Sequence, residues 1–233
     1  MVSTSIPHIC IGDSTMNTNN VIIFGTGEIA QVAYMYLTHD SIYTVKAFTV
    51  DKEFMDTDEL FNLPVVPFEE VEFLYPPNNY NMFVPMSYKG RNKLRAKKYY
   101  QSKDKGYIFI TYVSSKVSTF PGFVTGDNCF ILEDNVIQPF TTIGNNVIMW
   151  SGNHIGHHTK IGNHCFIASH VVISGHVKVE DNCTFGVNST VRDNINIGSG
   201  CIIGAGALIL HDTEEREIYI GNETKPLKIS EVK

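Results

Sequence analysis

The stretch IGNNVI-MWSGNH-IGHHTK-IGNHCF-IASHVV-ISGHVK, residues 143–178, places isoleucine or methionine at the head of every group of six. Followed outward in both directions, the same register gives Ile131, Ile137, Ile143, Met149, Ile155, Ile161, Ile167, Ile173, Val179, Phe185, Val191, Ile197, Ile203 and Ile209, fourteen apolar residues without one insertion. An amphipathic helix repeats every 3.6 residues and a half-buried strand every two, so neither produces this spacing. A hexapeptide β-helix does, with one inward side chain per short strand. Three hexads close one triangular coil. Coils stacked about 4.7–4.9 Å apart then bury a continuous aliphatic prism, with backbone hydrogen bonds running from coil to coil.

Residues eighteen apart must lie above one another. Cys129, Val147, Cys165, Cys183 and Cys201 fall in one such column, at the fifth hexad position, which reads as compact apolar filler and not as ligands or nucleophiles. His158, His164, His170 and His176 hold the fourth position of consecutive hexads, so successive members sit on successive sides and only His158 and His176 share one. His157 differs: it falls at the third position beside Gly156, where a second molecule can approach the coil closely. It is the candidate for chemistry.

The first half reads differently. VIIFGTGEIAQVAYMYL, residues 21–37, is a strand, a Gly25-Thr26-Gly27 turn and a helix whose free N–H groups can hold a phosphate. VKAFTV, residues 45–50, delivers Asp51 where such folds place a carboxylate for ribose. Further strands are expected over 80–84 and 107–111, with a helix between them. This is half of a dinucleotide fold, enough for a mononucleotide group. A tight turn that packs and binds nothing is the alternative on these residues alone. The basic run KGRNKLRAKKYYQSKDK, residues 89–105, holds eight of the eighteen Lys and Arg and reads as a solvated helix face, with a phosphate-contacting surface as the alternative.

A net charge of −6 argues against nucleic acid as a partner. No apolar run approaches the roughly 18–20 residues that span a bilayer, so no membrane insertion is expected. The opening lacks signal-peptide character, which points to the cytoplasm. The organisation expected is a polar leader over 1–19, a candidate for disorder; a Rossmann-like nucleotide-sugar domain over 20–112; and the β-helix over 113–233. HDTEERE, residues 211–217, is expected to leave the repeat and cap the prism.

On FGTGEIA, VDK, the hexapeptide repeat and the closing IYIGNETKPL, the chain resembles the sugar acyltransferases of the left-handed β-helix superfamily, the group of sialic-acid O-acetyltransferases and nucleotide-amino-sugar N-acetyltransferases. VIMWSGNHIGHHTKIG (residues 147–162) aligns without a gap with the family's VIMNTGAVVNHDCVIG, and the family's catalytic histidine falls on His157. The resemblance implies a left hand for the coil, acetyl-CoA as co-substrate, no metal, a homotrimer, a nucleotide-linked amino-sugar as acceptor, and a place in O-antigen or polysaccharide biosynthesis. It implies nucleotide contacts from Gly25, Thr26, Gly27, Glu28, Asp51 and Lys52. Acetyl-CoA would lie along Phe166, Gly175, Gly186, Gly204 and Ala205, with the Gly175 amide near the thioester carbonyl. Two residues depart from the family pattern. His158 stands where an acidic residue usually orients the catalytic histidine, which leaves His154 or a neighbouring subunit to support His157, and Phe166 replaces a histidine near the thioester. Sugar O-acetylation on the same fold, a γ-type carbonic anhydrase with histidine-bound zinc, and a non-enzymatic trimeric nucleotide-binding scaffold are the rival functions.

Overall fold

The computed structural model describes residues 10–11 and 18–223; most of the expected leader and the end of the closing motif lie outside them. Strand β1 (Cys10–Ile11) pairs in parallel with Val124–Thr125, at the open end of the coil. The first domain is built from β2 (Asn20–Phe24), α1 (Glu28–His39), β3 (Thr44–Val50), β4 (Glu59–Leu60), β5 (Leu63–Pro67), α2 (Val71–Leu74), β6 (Asn81–Phe83) and α3 (Lys93–Asp104). Its sheet runs β4-β5-β3-β2-β6, parallel apart from the β4-β5 pair, and Phe109 adds a bridge beyond β6. The chain order therefore reverses between β2 and β6, the position at which open α/β sheets bind ligands beyond the strands' carboxyl ends. β5 went unread in the sequence because LPVVP carries a proline at position 64 and another at its end, residues usually confined to strand edges. The strand expected over 107–111 is reduced to that single bridge.

The second domain is a three-sided parallel β-helix of two-residue strands. Its sides are the ladders Val124–Thr125 to Asn196–Ile197, Phe130–Ile131 to Ile202–Ile203, and Val136–Ile137 to Leu208–Ile209. The hexad heads point inward and are buried throughout, forming one core with Cys129, Cys165, Cys183 and Cys201. These four cysteines are free thiols, and each Sγ donates to a carbonyl of the next coil, as Cys165 does to Glu180. The first strand of the coil, Tyr112–Val113, straddles the expected domain boundary. Residues 211–217 do not leave the repeat: Thr213 N donates to Asn196 O, and Ile218–Tyr219 pairs with Ile202–Ile203. The last described coil is shortened.

The fourth hexad position explains the histidines. Asn128, Asp134, Phe140, Asn146, His158, His164, His170, His176, Asn182, Asn188 and Asn194 all have φ between 53° and 66°, and Gly152, Gly200 and Gly206 fill the same place. Left-handed backbone is costly for most side chains and tolerated best by Gly, Asn, Asp and His. The histidine column is a conformational requirement before it is anything chemical. His164 illustrates this: buried, it pairs through Nδ1 with Asn146 and through Nε2 with Tyr100.

The three sides have different outward rows. Val124, Thr142, Lys160, Lys178 and Asn196 form a mostly polar, exposed row. Phe130, Ile148 and Phe166 are buried in a shared core with α1 and the first sheet. Val136, His154, Val172, Thr190 and Leu208 form the third row, which no other element among the described residues covers, with Leu208 60% exposed.

Only part of the basic run is a solvated face: Lys89, Arg91, Lys93, Lys97 and Lys103 are exposed, whereas Arg95, Lys98 and Lys105 make tertiary contacts. Asn92 donates to Thr184 Oγ1 (2.9 Å), and Arg95, fully buried, donates to the carbonyls of His164 (2.8 Å), Cys165 (3.0 Å) and Met86 (3.2 Å). Lys98 pairs with Asp51 and Lys105 with Glu72. Helix α3 is the strut that fixes the first domain to the coil. Among the described residues, no helix is long and apolar enough to cross a membrane.

Candidate active site

Three chemical features emerge, at two corners of the prism and at the switch point of the first sheet. The corner after the uncovered row carries His157. Its backbone is pinned from both neighbouring coils, N to Gln138 Oε1 (2.9 Å) and O from His176 N (2.9 Å), while its ring is exposed and faces out of the column. The ring lies against Gly175: a Cβ on that residue would meet His157 Cε1 at 2.8 Å and Nε2 at 3.0 Å. Only glycine lets the imidazole sit there. The Gly175 amide donates to no acceptor among the described residues, so its N–H is free for a ligand.

His157 Nδ1 lies 3.1 Å from His158 Nδ1. Desolvation and the neighbouring His176 and His157 rings hold the His158 imidazole below its ordinary pKa, which favours the neutral form able to accept a hydrogen bond. With Nδ1–H of His157 donating, Nε2 of His157 carries the lone pair. His158, and not His154, is therefore the side chain within hydrogen-bond distance of the His157 ring; His154 lies on the uncovered row, half-buried on its strand. His176 completes the corner, stacked on His158 at 4.7 Å and edge-on to His157 at 5.0 Å.

The corner before the same row carries a groove of about 670 Å³ between the coil and α1. Phe166, Gly186, Gly204 and Ala205 line it, as expected, whereas Gly175 does not. Trp150 and Tyr88, unread in the sequence, supply further aromatic wall, with the Tyr88 ring 4.9 Å from that of Phe166. The chain thus holds the imidazole and the groove at different corners of the prism, on opposite edges of one uncovered side.

At the switch point, Gly25, Thr26, Gly27, Glu28 and Asp51 line a cavity of about 470 Å³ with Ser87, Lys89 and Lys98. Gly25 has φ +103°, the turn that brings backbone to the cavity, and Gly27 caps α1 with no side-chain bond to its first N–H groups. Those donors, the helix dipole and two lysines suit a phosphate chain. Asp51 Oδ1 is held by Lys98 Nζ at 2.5 Å. Lys52 is not part of the lining: its Nζ lies 3.9 Å from Glu70 Oε1. Lys89 and Lys98 were hidden inside the basic run. Glu28 lines both this cavity and the groove, so the two meet at the start of α1.

The family profile described as the hexapeptide repeat of succinyl-transferase matches residues 176–210. Among solved structures, PerB of Caulobacter crescentus in complex with CoA and GDP-perosamine is 24% identical, with a TM-score of 0.78 over 87% of this chain and 94% of that one. A variant of that enzyme, a perosamine N-acetyltransferase, with one histidine changed to asparagine matches equally well, at 23% identity. The acetyltransferase domain of PglB from Neisseria gonorrhoeae, solved with acetyl coenzyme A, is 18% identical with a TM-score of 0.77, covering 90% and 100%. WeeI from Acinetobacter baumannii is 17% identical with a TM-score of 0.57, covering 89% and 99%. No curated protein sequence matches the chain. These likenesses fix the architecture as a left-handed parallel β-helix of hexapeptide repeats carrying a Rossmann-like N-terminal domain.

Proposed function

We propose that the chain transfers an acetyl group from acetyl-CoA to the amino group of a nucleotide-linked amino-sugar, acting as a cyclic trimer with His157 as general base. The observation that carries this reading is the uncovered Val136, His154, Val172, Thr190, Leu208 row, flanked by His157 on one edge and the apolar groove on the other. Head-to-tail packing across such a row generates a closed ring when each subunit is turned by a third of a revolution from the last. It brings the imidazole corner of one subunit against the groove corner of the next. A trimer also supplies a cover for that row, which the described residues of one chain do not provide. The likeness to structures solved with CoA and with GDP-perosamine supports the choice of both substrates.

The groove suits the donor: Trp150, Phe166, Ala168 and Val187 provide apolar wall for a pantetheine arm. The switch-point cavity holds the nucleotide diphosphate on the Gly25-Thr26-Gly27 turn, with Lys89 and Lys98 at hand for phosphate and Asp51 for ribose. His157 Nε2 takes the proton from the attacking amine as the C–N bond forms. Gly175 N–H donates to the thioester oxygen as it gains negative charge. The C–S bond then breaks, and the leaving thiolate takes a proton from the His157 imidazolium. His158 keeps the His157 ring in the productive tautomer. The assay is thiol release from acetyl-CoA with a panel of nucleotide amino-sugars. Turnover with an amine and none with its hydroxyl counterpart is expected; turnover with the hydroxyl alone would overturn N-acetylation.

Two variants test the arrangement. His158→Ala should lower kcat by about 10-fold with KM unchanged, because the base loses its orienting partner and not its substrate contacts; His158→Asp, which restores an acceptor, should recover most of that loss. Steady-state kinetics of both variants decides the matter, and equal losses in both would exclude an orienting role. Leu208→Asp places a charge on the uncovered row. Sedimentation equilibrium should report the wild type at three times the mass of one chain and the variant at one, since an unpaired charge buried in an apolar interface is not tolerated.

A further inference from the structure

The corner that holds the proposed base carries more imidazole than proton transfer needs. His157, His158 and His176 are all exposed, and each offers one ring nitrogen within 4.8 Å of the other two. Their positions are fixed by the coil and not by chance side-chain placement. His158 and His176 sit eighteen residues apart with the same left-handed backbone, φ 60° and 58°, and His176 N donates to His157 O at 2.9 Å. The Nδ1 atoms of His157 and His158 are already 3.1 Å apart. A tetrahedral zinc ion with Zn–N bonds of about 2.0–2.1 Å needs ligand nitrogens about 3.3–3.4 Å from one another. Rotation of exposed rings about χ1 and χ2 closes the remaining gap without moving the backbone. Phe140, 4.6 Å from His158, walls one side.

We propose that His157, His158 and His176 form a three-imidazole site for a divalent transition metal of the zinc type, and that metal bound there blocks acetyl transfer by occupying the lone pair of His157. Three neutral nitrogen donors with no carboxylate among them select zinc, copper, nickel or cobalt over magnesium and calcium, which require oxygen. Three protein ligands leave a fourth position to water. The metal is an inhibitor here and not a cofactor, because a coordinated imidazole cannot accept a proton. The binding half of this inference stands on geometry alone; the inhibitory half rests on the acetyl-transfer reading.

The test uses zinc chloride and cobalt chloride as probes on the full-length, metal-free protein. Calorimetry should give one zinc per chain, and cobalt should produce the visible bands of a four-coordinate nitrogen site. His176→Asn should weaken zinc binding by about 100-fold, since it removes one of three ligands. It will fold, because asparagine fills the same position at Asn182, Asn188 and Asn194. Whatever its metal-free turnover, zinc should no longer inhibit it, while a chelator restores the inhibited wild type. Absence of saturable zinc binding, or equal binding by His176→Asn, overturns the site. Stoichiometric binding without inhibition of an active enzyme overturns the inhibitory role. Stoichiometric zinc binding by a protein that acetylates no nucleotide sugar sustains the site and removes the acetyl-transfer reading instead.

Discussion

His157→Asn should lower kcat for acetyl transfer by about 10²- to 10⁴-fold, the range that a positioned general base contributes. The ring is exposed and touches the core nowhere, so the variant should melt with the wild type and bind acetyl-CoA and nucleotide with unchanged affinity. Asparagine keeps the bulk near Gly175 and a polar edge toward His158 but cannot take a proton at neutral pH. The comparison that matters is therefore kcat against binding. A folded variant with near-normal turnover would remove His157 from the chemistry. A variant that loses acetyl-CoA affinity as well would make His157 a binding residue.

The second large effect is expected on stability. Arg95 is fully buried, and its guanidinium meets only carbonyl oxygens, those of Met86, Ser87, His164 and Cys165, with no carboxylate in contact. Burial draws its pKa down to about 10, so it remains charged at neutral pH, held by backbone dipoles. Arg95→Ala would leave the Met86, Ser87 and His164 carbonyls without this donor, while Cys165 O keeps Ile148 N, and would open a void beneath α3. Orphaned buried acceptors cost about 1–3 kcal/mol each, and a buried truncation adds a cavity term. A loss of roughly 3–5 kcal/mol is expected. For a chain of this length that corresponds to a fall in Tm of about 10 °C. Arg95→Lys should recover little, because one ammonium cannot reach carbonyls on both sides of the seam. Hydrogen exchange should show the amides of α3 opening ahead of the coil. An Arg95→Ala protein that melts with the wild type would mean that the shared apolar core and the remaining contacts, Asn92–Thr184, Tyr99–Asp127, Tyr36–Glu133 and Tyr112–Asp40 among them, hold the domains together without it.

The coil was legible because its period is rigid: one insertion among the fourteen hexad heads would have broken the register, and none does. The inward placement of the cysteines followed from the same count. The sheet switch point was legible through the Gly25-Thr26-Gly27 turn and Asp51, since backbone chemistry demands those residues there. Charged residues misled where tertiary contacts overrode their average behaviour. Lys98 and Arg95 belong by composition to a solvated helix, yet one pairs with Asp51 and the other docks the domains, and no local pattern distinguishes them from Lys97. Trp150 and Tyr88 reach the groove from distant parts of the chain, so no spacing could join them. The eighteen-residue step did place His176 above His158. What it could not reveal was that His157, one residue off the column, turns its ring toward both.

The account depends on one subunit's imidazole working at its neighbour's groove. Co-expression of His157→Asn with Ala205→Trp, whose indole would fill the groove, tests this directly, because each variant alone should be inactive. Random assortment in a cyclic trimer leaves about a quarter of the interfaces with an intact histidine facing an intact groove. Recovery of about a quarter of wild-type turnover in the mixed protein is the result expected. Mixed trimers no more active than either parent would contradict a site shared between subunits.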